Sequence, residues 1–398
     1  MRWRVGAALL LFVVALGAIQ YLRPIPAVAA APLLPAFDRT PGSAPTLPWP
    51  STGAAAVGVS GLGFIATSGN EQAIPAASVT KVMTAVVVLQ DKPLKKDEDG
   101  PSLTITDADV QSYQADLQDQ QSVAKVQVGE TLNERQLLEG MLIPSANNFA
   151  ETLARWDAGS IDAFVAKMNA KATALHLTHT KFADPAGAAA ASVSTPTDLL
   201  SLGMTAMQNE VFAQVVARPQ ADLPVAGTVI NVNGELGKPG GIIGIKTGSG
   251  LNTGANYLYA ATATVDSHKI TIYGCVMGQP TLAIAFGAAH RLIDAMASVL
   301  HVKPVILRNQ SVATMTTPWG DATDLVATVD LYLTEWPGMV VRQRLDVSPI
   351  VFDQPVPRGS QAGSEHVVLG DYVEDIPLIT DVPMYPPGRF WRLTRLSF

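Results

Sequence analysis

The sequence predicts an α+β fold, because its helical and strand runs are segregated along the chain rather than alternating. Three observations carry that reading. Helix start signals cluster between residues 131 and 198. From Gly241 three apolar, β-rich segments succeed one another ahead of one long helical run. Beyond Val302 the chain reads as strands. The composition is that of a globular protein, 48% hydrophobic and 15% charged, and 398 residues suffice for more than one domain and a sizeable core.

The chain opens MRWRVGAALLLFVVALGAIQYL. Arg2 and Arg4 precede an apolar run from Val5 to Ile19, and Ala27-Val28-Ala29 offers an A-x-A cleavage site, the pattern of an export signal. The run is long for a signal core and short for a spanning helix of ~20 residues. Residues 1–30 are therefore read as a signal peptide or a retained membrane anchor, with the rest of the chain exported. Eight prolines between Pro24 and Pro50 block helix and central strand, so residues 31–50 are expected to form an extended tether.

AAVGVSGLGFIATSGN reads as two short strands around a Gly-rich turn. PAASVTKVMTAVVVLQ is ambiguous between a strand and a buried helix, because valine is frequent. Thr131 with Glu134 makes a capping box ahead of a helix over LNERQLLEGML, which Pro144 stops. A second helix over NNFAETLARW begins at once. Thr195-Pro196-Thr197-Asp198 starts another, with Pro at the first helical position. GIIGIKTG, NYLYAATATV and HKITIYGCVMG are strands, the last two joined as a hairpin at Asp266-Ser267. TLAIAFGAAHRLIDAMASVL is a helix of about twenty residues. VILRNQSVATMT, DLVATVDLYLTEW, MVVRQRLDV and SEHVVLGDYV alternate like strands. Residues 303–398 are thus read as a small β domain that succeeds a domain over 51–302. The closing RFWRLTRLSF is basic and aromatic, too short for an amphipathic anchor, and is expected to be a last strand.

A formal net charge of −7 argues against nucleic acid as a partner. No Cys/His spacing resembles a zinc site. The single cysteine, Cys275, leaves no internal disulfide and reads as a small buried hydrophobe.

The chemistry converges on three short motifs: Ser78-Val79-Thr80-Lys81, Ser145-Ala146-Asn147 and Lys246-Thr247-Gly248. A serine hydroxyl is a poor nucleophile and needs a base beside it. On a helix, Ser78 and Lys81 share a face. The apolar run around Lys81 and a nearby cation such as Lys246 would both lower the amine's pKa, which a base requires. Ser145-Ala146-Asn147 lies between two helices, where it either presents a hydroxyl and an amide to a cleft or caps the second helix. Lys246 and Thr247 offer a cation and a hydroxyl to an anionic substrate end, and Gly248 lets substrate backbone approach the strand. Any one motif is weak. Ser122-Val123-Ala124-Lys125 also matches S-x-x-K, but it alternates like a strand, which points its ends to opposite faces. Ser68-Gly69-Asn70 matches S-x-N in the wrong order.

With these motifs the chain resembles the serine D-alanyl-D-alanine carboxypeptidases, the low-molecular-mass penicillin-binding proteins, over roughly 51–302. The resemblance implies a β-lactamase/transpeptidase-like catalytic domain, an antiparallel sheet flanked by helices, and then an all-β domain. It also implies roles. Ser78 attacks the carbonyl between two D-alanines and Lys81 takes its proton. Ser145 and Asn147 relay protons and hold the substrate amide. Lys246 and Thr247 bind the terminal carboxylate, and backbone N–H groups of Ser78 and Ser249 form the oxyanion hole. The implied partners are a peptidoglycan stem peptide ending in D-Ala-D-Ala, and β-lactams as covalent inhibitors, with no metal or cofactor. Two departures stand out: Asn148, where an acidic residue is common, and Asp184-Pro185-Ala186-Gly187, where a histidine-containing segment is usual. A β-lactamase-type hydrolase and a non-catalytic wall-binding protein are the alternatives.

Overall fold

The computed structural model describes residues 2–59, 61–69, 72–250 and 253–395; Asn70 of the Ser68 triplet and the last three residues fall outside them. The chain divides into two compact units. One spans Pro45–His301, here the central unit. The other, the terminal unit, joins residues up to Ala44 with those from Val302 onward.

The terminal unit begins with helix α1 (Arg2–Leu22), whose apolar stretch Trp3–Leu22 is not buried. The segment expected as a tether carries two short strands, β1 (Ala30–Pro32) and β2 (Phe37–Arg39). Both lie at sheet edges, where a proline's missing N–H costs nothing. Its prolines exclude helix and central strand but not this.

The central unit holds the elements that build the site. Strands β3 (Ala54–Val59) and β4 (Gly63–Ser68) form the expected pair. The ambiguous stretch is a 3-10 turn, Ala77–Thr80, that runs into helix α2 (Lys81–Asp91). Helix α2 is apolar on nearly all sides because it is buried on nearly all sides. Helix α3 (Asp107–Gln118) is tied to the helix that begins at Asn147 by Asp109, which accepts from Thr152 at 2.8 Å and Arg155 at 2.9 Å.

Helix α4 (Glu134–Leu142) starts on a different cap from the one expected. Asn133 accepts from the Gln136 N–H, and Gln136 reaches back to the Asn133 N–H. Thr131 instead pairs with Thr104 in a short ladder. Helices α5 (Asn147–Ala158) and α6 (Ile161–Ala174) come next, then α7 (Pro196–Ala206), capped by Thr195 as expected. Further along the unit come strands β5 (Ile242–Gly250), β6 (Gly254–Val265) and β7 (His268–Gln279) and helix α8 (Leu282–Val299). The antiparallel sheet order is β5-β6-β7-β3-β4. Asp266 and Ser267 both take positive φ, as a tight hairpin turn demands. Cys275 is fully buried, opposite Ala56 and Leu258 in the sheet, and burial raises its thiol pKa.

In the terminal unit, β8 (Ser311–Thr316), β9 (Ala322–Ala327), β10 (Val340–Asp346), β11 (Gln361–Leu369) and β12 (Tyr372–Thr380) join the two early strands. The sheet order is β1-β8-β9-β12-β11-β10-β2. The chain's last described element is helix α9 (Arg389–Thr394), not the expected strand. The adjoining Arg395 is drawn to carbonyls at the end of α1 rather than to a sheet edge.

Candidate active site

The 3-10 geometry decides how Ser78 meets Lys81. In a 3-10 turn, side chains three residues apart eclipse, which is tighter than α-helical neighbours. Lys81 Nζ lies 2.9 Å from Ser78 Oγ. It also donates to Asn147 Oδ1 at 2.7 Å and to the Ala186 carbonyl at 2.8 Å. Those last two oxygens only accept. They occupy two N–H directions of the amine, so in its neutral form the lone pair points at the Ser78 hydroxyl. Lys81 is completely buried while Ser78 is half-buried, so the amine is dry and the hydroxyl reachable. Burial lowers the Lys81 pKa well below the usual lysine value. The positive field of Lys246 lowers it further, against Asp184 and Asp116, which raise it.

Ser145 is buried and takes φ +67° between α4 and α5. The N-cap of α5 is Ala146, with no side-chain cap, so neither Ser145 nor Asn147 is spent on capping. The Ser145 hydroxyl makes no hydrogen bond to a described residue. Asn147 Nδ2 donates to Gln121 Oε1 at 3.3 Å. Asn148 holds backbone: its amide bonds both the N–H (3.2 Å) and the carbonyl (3.0 Å) of Ala124. This segment contains the second S-x-x-K match, which lies outside any strand or helix. Its contribution to the site is the Ser122 carbonyl, which accepts the Asn147 N–H at 2.7 Å.

On β5, Lys246 and Thr247 are buried and Ser249 is exposed. Lys246 Nζ donates to the Thr247 carbonyl at 3.1 Å and to no other described residue. Burial pushes its pKa down to about 7. An ammonium with one acceptor is equipped to take an anion. Gly248 has a different reason to be glycine than expected. A Cβ there would lie 2.9 Å from the Ala76 carbonyl and 3.1 Å from the Ser78 nitrogen. The close approach is to the turn that carries Ser78.

Sequence reasoning missed the supports of that turn. Asn256, opposite Gly248 across the β5–β6 ladder, donates to the Pro75 carbonyl (2.9 Å) and the Ala76 carbonyl (3.1 Å) and accepts from the Gly278 N–H (2.9 Å). Asn256→Ala is expected to cost about 1–3 kcal/mol, since it strips buried backbone groups of partners; denaturant unfolding measures it. The Asp184-Pro185-Ala186-Gly187 loop is the second support. Asp184 accepts N–H bonds from Ala186, Gly187, Ala188 and Ala189 and the Ser192 hydroxyl. That nest fixes the Ala186 carbonyl against Lys81, while Thr84 bonds the Pro185 carbonyl at 2.6 Å. The Asp-Pro-x-Gly spelling signals a tight loop; nothing in it says that the loop's carbonyl meets the lysine.

Comparison with known proteins gives the chain's family and fold. The family model described as D-alanyl-D-alanine carboxypeptidase matches residues 61–281. A D-alanyl-D-alanine carboxypeptidase of Mycobacterium tuberculosis is 35% identical over 217 residues, covering 52% of this chain and 69% of the relative. One from a Streptomyces species is 35% identical over 202 residues, covering 46% and 67%. The crystal structure of a Streptomyces DD-transpeptidase superimposes with TM-score 0.55 and 30% identity, covering 64% of this chain and 98% of that one. Penicillin binding protein 5 from Haemophilus influenzae, at 20% identity and TM-score 0.64, shares the fold over 86% of this chain and 98% of its own.

Proposed function

The chain belongs to the D-alanyl-D-alanine carboxypeptidase family, and from that premise we propose that it removes the terminal D-alanine of peptidoglycan stem peptides through an acyl-enzyme on Ser78. It is a serine-type hydrolase and a penicillin-binding protein. The observation that carries the assignment of roles is the Lys81 amine, bonded to Ser78 Oγ with its other N–H directions held by Asn147 and Ala186.

Neutral Lys81 takes the Ser78 proton as Oγ attacks the carbonyl between the two D-alanines. Backbone N–H groups of Ser78 and Ser249 receive the developing oxyanion. Lys246 and Thr247 hold the terminal carboxylate. The C–N bond then breaks as the leaving amine gains the proton held by Lys81, a transfer in which family resemblance assigns Ser145 the relay. Free D-alanine departs. Water attacks the ester, its proton passes to the same base, and Ser78 is restored. A β-lactam acylates Ser78 in the same way but keeps its leaving nitrogen tethered, so the adduct persists. The substrate lies outside the cytoplasm, and the N-terminal apolar segment fits the export that this requires.

The test is to incubate the protein with a peptide ending in D-Ala-D-Ala and assay free D-alanine. Release that disappears in Ser78→Ala supports the reading; no release alongside normal penicillin labelling would sink hydrolysis as its role.

The lysine base also sets the pH dependence. Acylation should rise with pH as Lys81 loses its proton, and level off below the ordinary lysine range. Asp116 opposes that deprotonation, because its negative field raises the Lys81 pKa. Asp116 itself is pushed up to about 6, mainly by burial and then by Glu151. Asp116→Asn removes the negative charge above about pH 6, so the rise should move to lower pH. A profile moved to higher pH would contradict this sign.

A further inference from the structure

The ends of the chain meet in the terminal unit. Arg395, buried, donates to the carbonyls of Pro24 (3.0 Å), Arg23 (2.6 Å) and Gln20 (3.4 Å), at and just beyond the C-terminal end of α1. The Gln20 side chain returns a bond to the Arg395 carbonyl. The last carbonyls of a helix lack intrahelical donors, and that end of the helix dipole favours a cation. The Arg392 guanidinium lies 5.5 Å from the centre of the Tyr21 ring.

Helix α9 buries none of its side chains. Phe390 is 81% exposed and Leu393 49% exposed, beside Arg389 and Arg392. The Trp391 ring sits edge-on to Trp319 at 5.2 Å, and Trp319 donates to the Tyr385 carbonyl at 3.0 Å. Arginines and exposed aromatics thus gather at one end of an apolar helix of 20 spanning-type residues. That combination is the chemistry of a membrane–water interface with anionic lipid.

The A-x-A site lies between the clamp and the sheet. Val28 is buried and exchanges backbone bonds with Ile350 (2.8 and 2.9 Å), and β1 pairs with β8 just after it. Cleavage after Ala29 would remove Gln20, Arg23 and Pro24. Arg395 would lose all three carbonyl partners and Ile350 its bridge to Val28.

We propose that α1 is retained in the working protein as a membrane anchor, and that α9 clamps its outer end and sets a collar of arginine and aromatic side chains on anionic lipid headgroups. Arg2 and Arg4 then remain on the cytoplasmic side, as charge asymmetry directs. The collar adds interfacial contacts to a single span.

Two measurements test this on the full chain. The first is the intact mass of the exported protein recovered from membranes. The expected chain keeps the residues before Ala30 and resists alkaline carbonate extraction. A chain that starts at Ala30, or one released in soluble form, overturns the proposal. The second reconstitutes the protein into vesicles of phosphatidylcholine, with or without phosphatidylglycerol, carrying lipids brominated near the headgroup. Bromine should quench tryptophan emission more in the wild type than in Trp391→Phe, with the difference larger when phosphatidylglycerol is present. Equal quenching in both proteins overturns the collar. Penicillin labelling controls for folding, and its failure in an anchored protein would count against the catalytic reading alone.

Discussion

Lys81→Met is expected to slow acylation by penicillin about 10²–10⁴-fold, the range that a positioned acid–base group supplies, while the protein stays folded. The stability side rests on opposing terms. The variant leaves Asn147 Oδ1 and the Ala186 carbonyl without their donor, each costing about 1–3 kcal/mol. It also removes a wholly buried amine, whose charged form carries a desolvation penalty of several kcal/mol. The two nearly offset, so thermal unfolding should move little. Methionine fills the same slot in a helix buried on nearly all sides. A large rate loss with a small change in melting temperature identifies Lys81 as the base. A rate within a few fold of wild type would require another base for Ser78.

Gly187→Ala is the second large effect, and it replaces no residue of the three motifs. Gly187 has φ +80°, and a Cβ would lie 1.9 Å from the Ala77 carbonyl oxygen and 2.8 Å from Thr80 Oγ1. Both contacts are with the 3-10 turn that carries Ser78. The left-handed backbone and the overpacking together should cost about 2–5 kcal/mol. The displaced loop carries the Ala186 carbonyl away from Lys81, and misplacement of about 1 Å can slow a reaction about 10²-fold. Gly159→Ala separates the two causes. Its φ is +79°, yet nothing lies within 4 Å of the added atom. It should lose only about 1–2 kcal/mol and leave acylation unchanged. Equal losses in both variants would mean that the contact with Ala77 is unimportant.

The motifs were legible because their chemistry depends on spacing and order that a sequence displays. Ser78 and Lys81 lie three residues apart, and an apolar run implied a dry lysine. The structure sharpened that expectation by making the turn 3-10 and by assigning all three directions of the amine. The supports were illegible because they depend on approach through space. Asn256 lies about 180 residues from the turn it bonds, and Asp184 acts through backbone N–H groups of its own loop.

Local competition explains the misread elements. Thr131 and Asn133 both spell a helix cap, and the ladder with Thr104 takes Thr131. The segment from Ser122 to Lys125 alternates like a strand, but its Ala124 backbone is satisfied by Asn148 rather than by a neighbouring strand. At the C-terminus, hydrogen bonds to the end of α1 turn a basic, aromatic segment into a short helix.

The proposed mechanism requires that Ser78, and not the similarly spaced Ser122, be the nucleophile served by Lys81. Peptide mapping by mass spectrometry after reaction with penicillin tests it most directly. One adduct is expected, on the peptide containing Ser78, absent from Ser78→Ala and slow to form in Lys81→Met. An adduct on Ser122 or another serine, or unchanged labelling of Ser78→Ala, would contradict it.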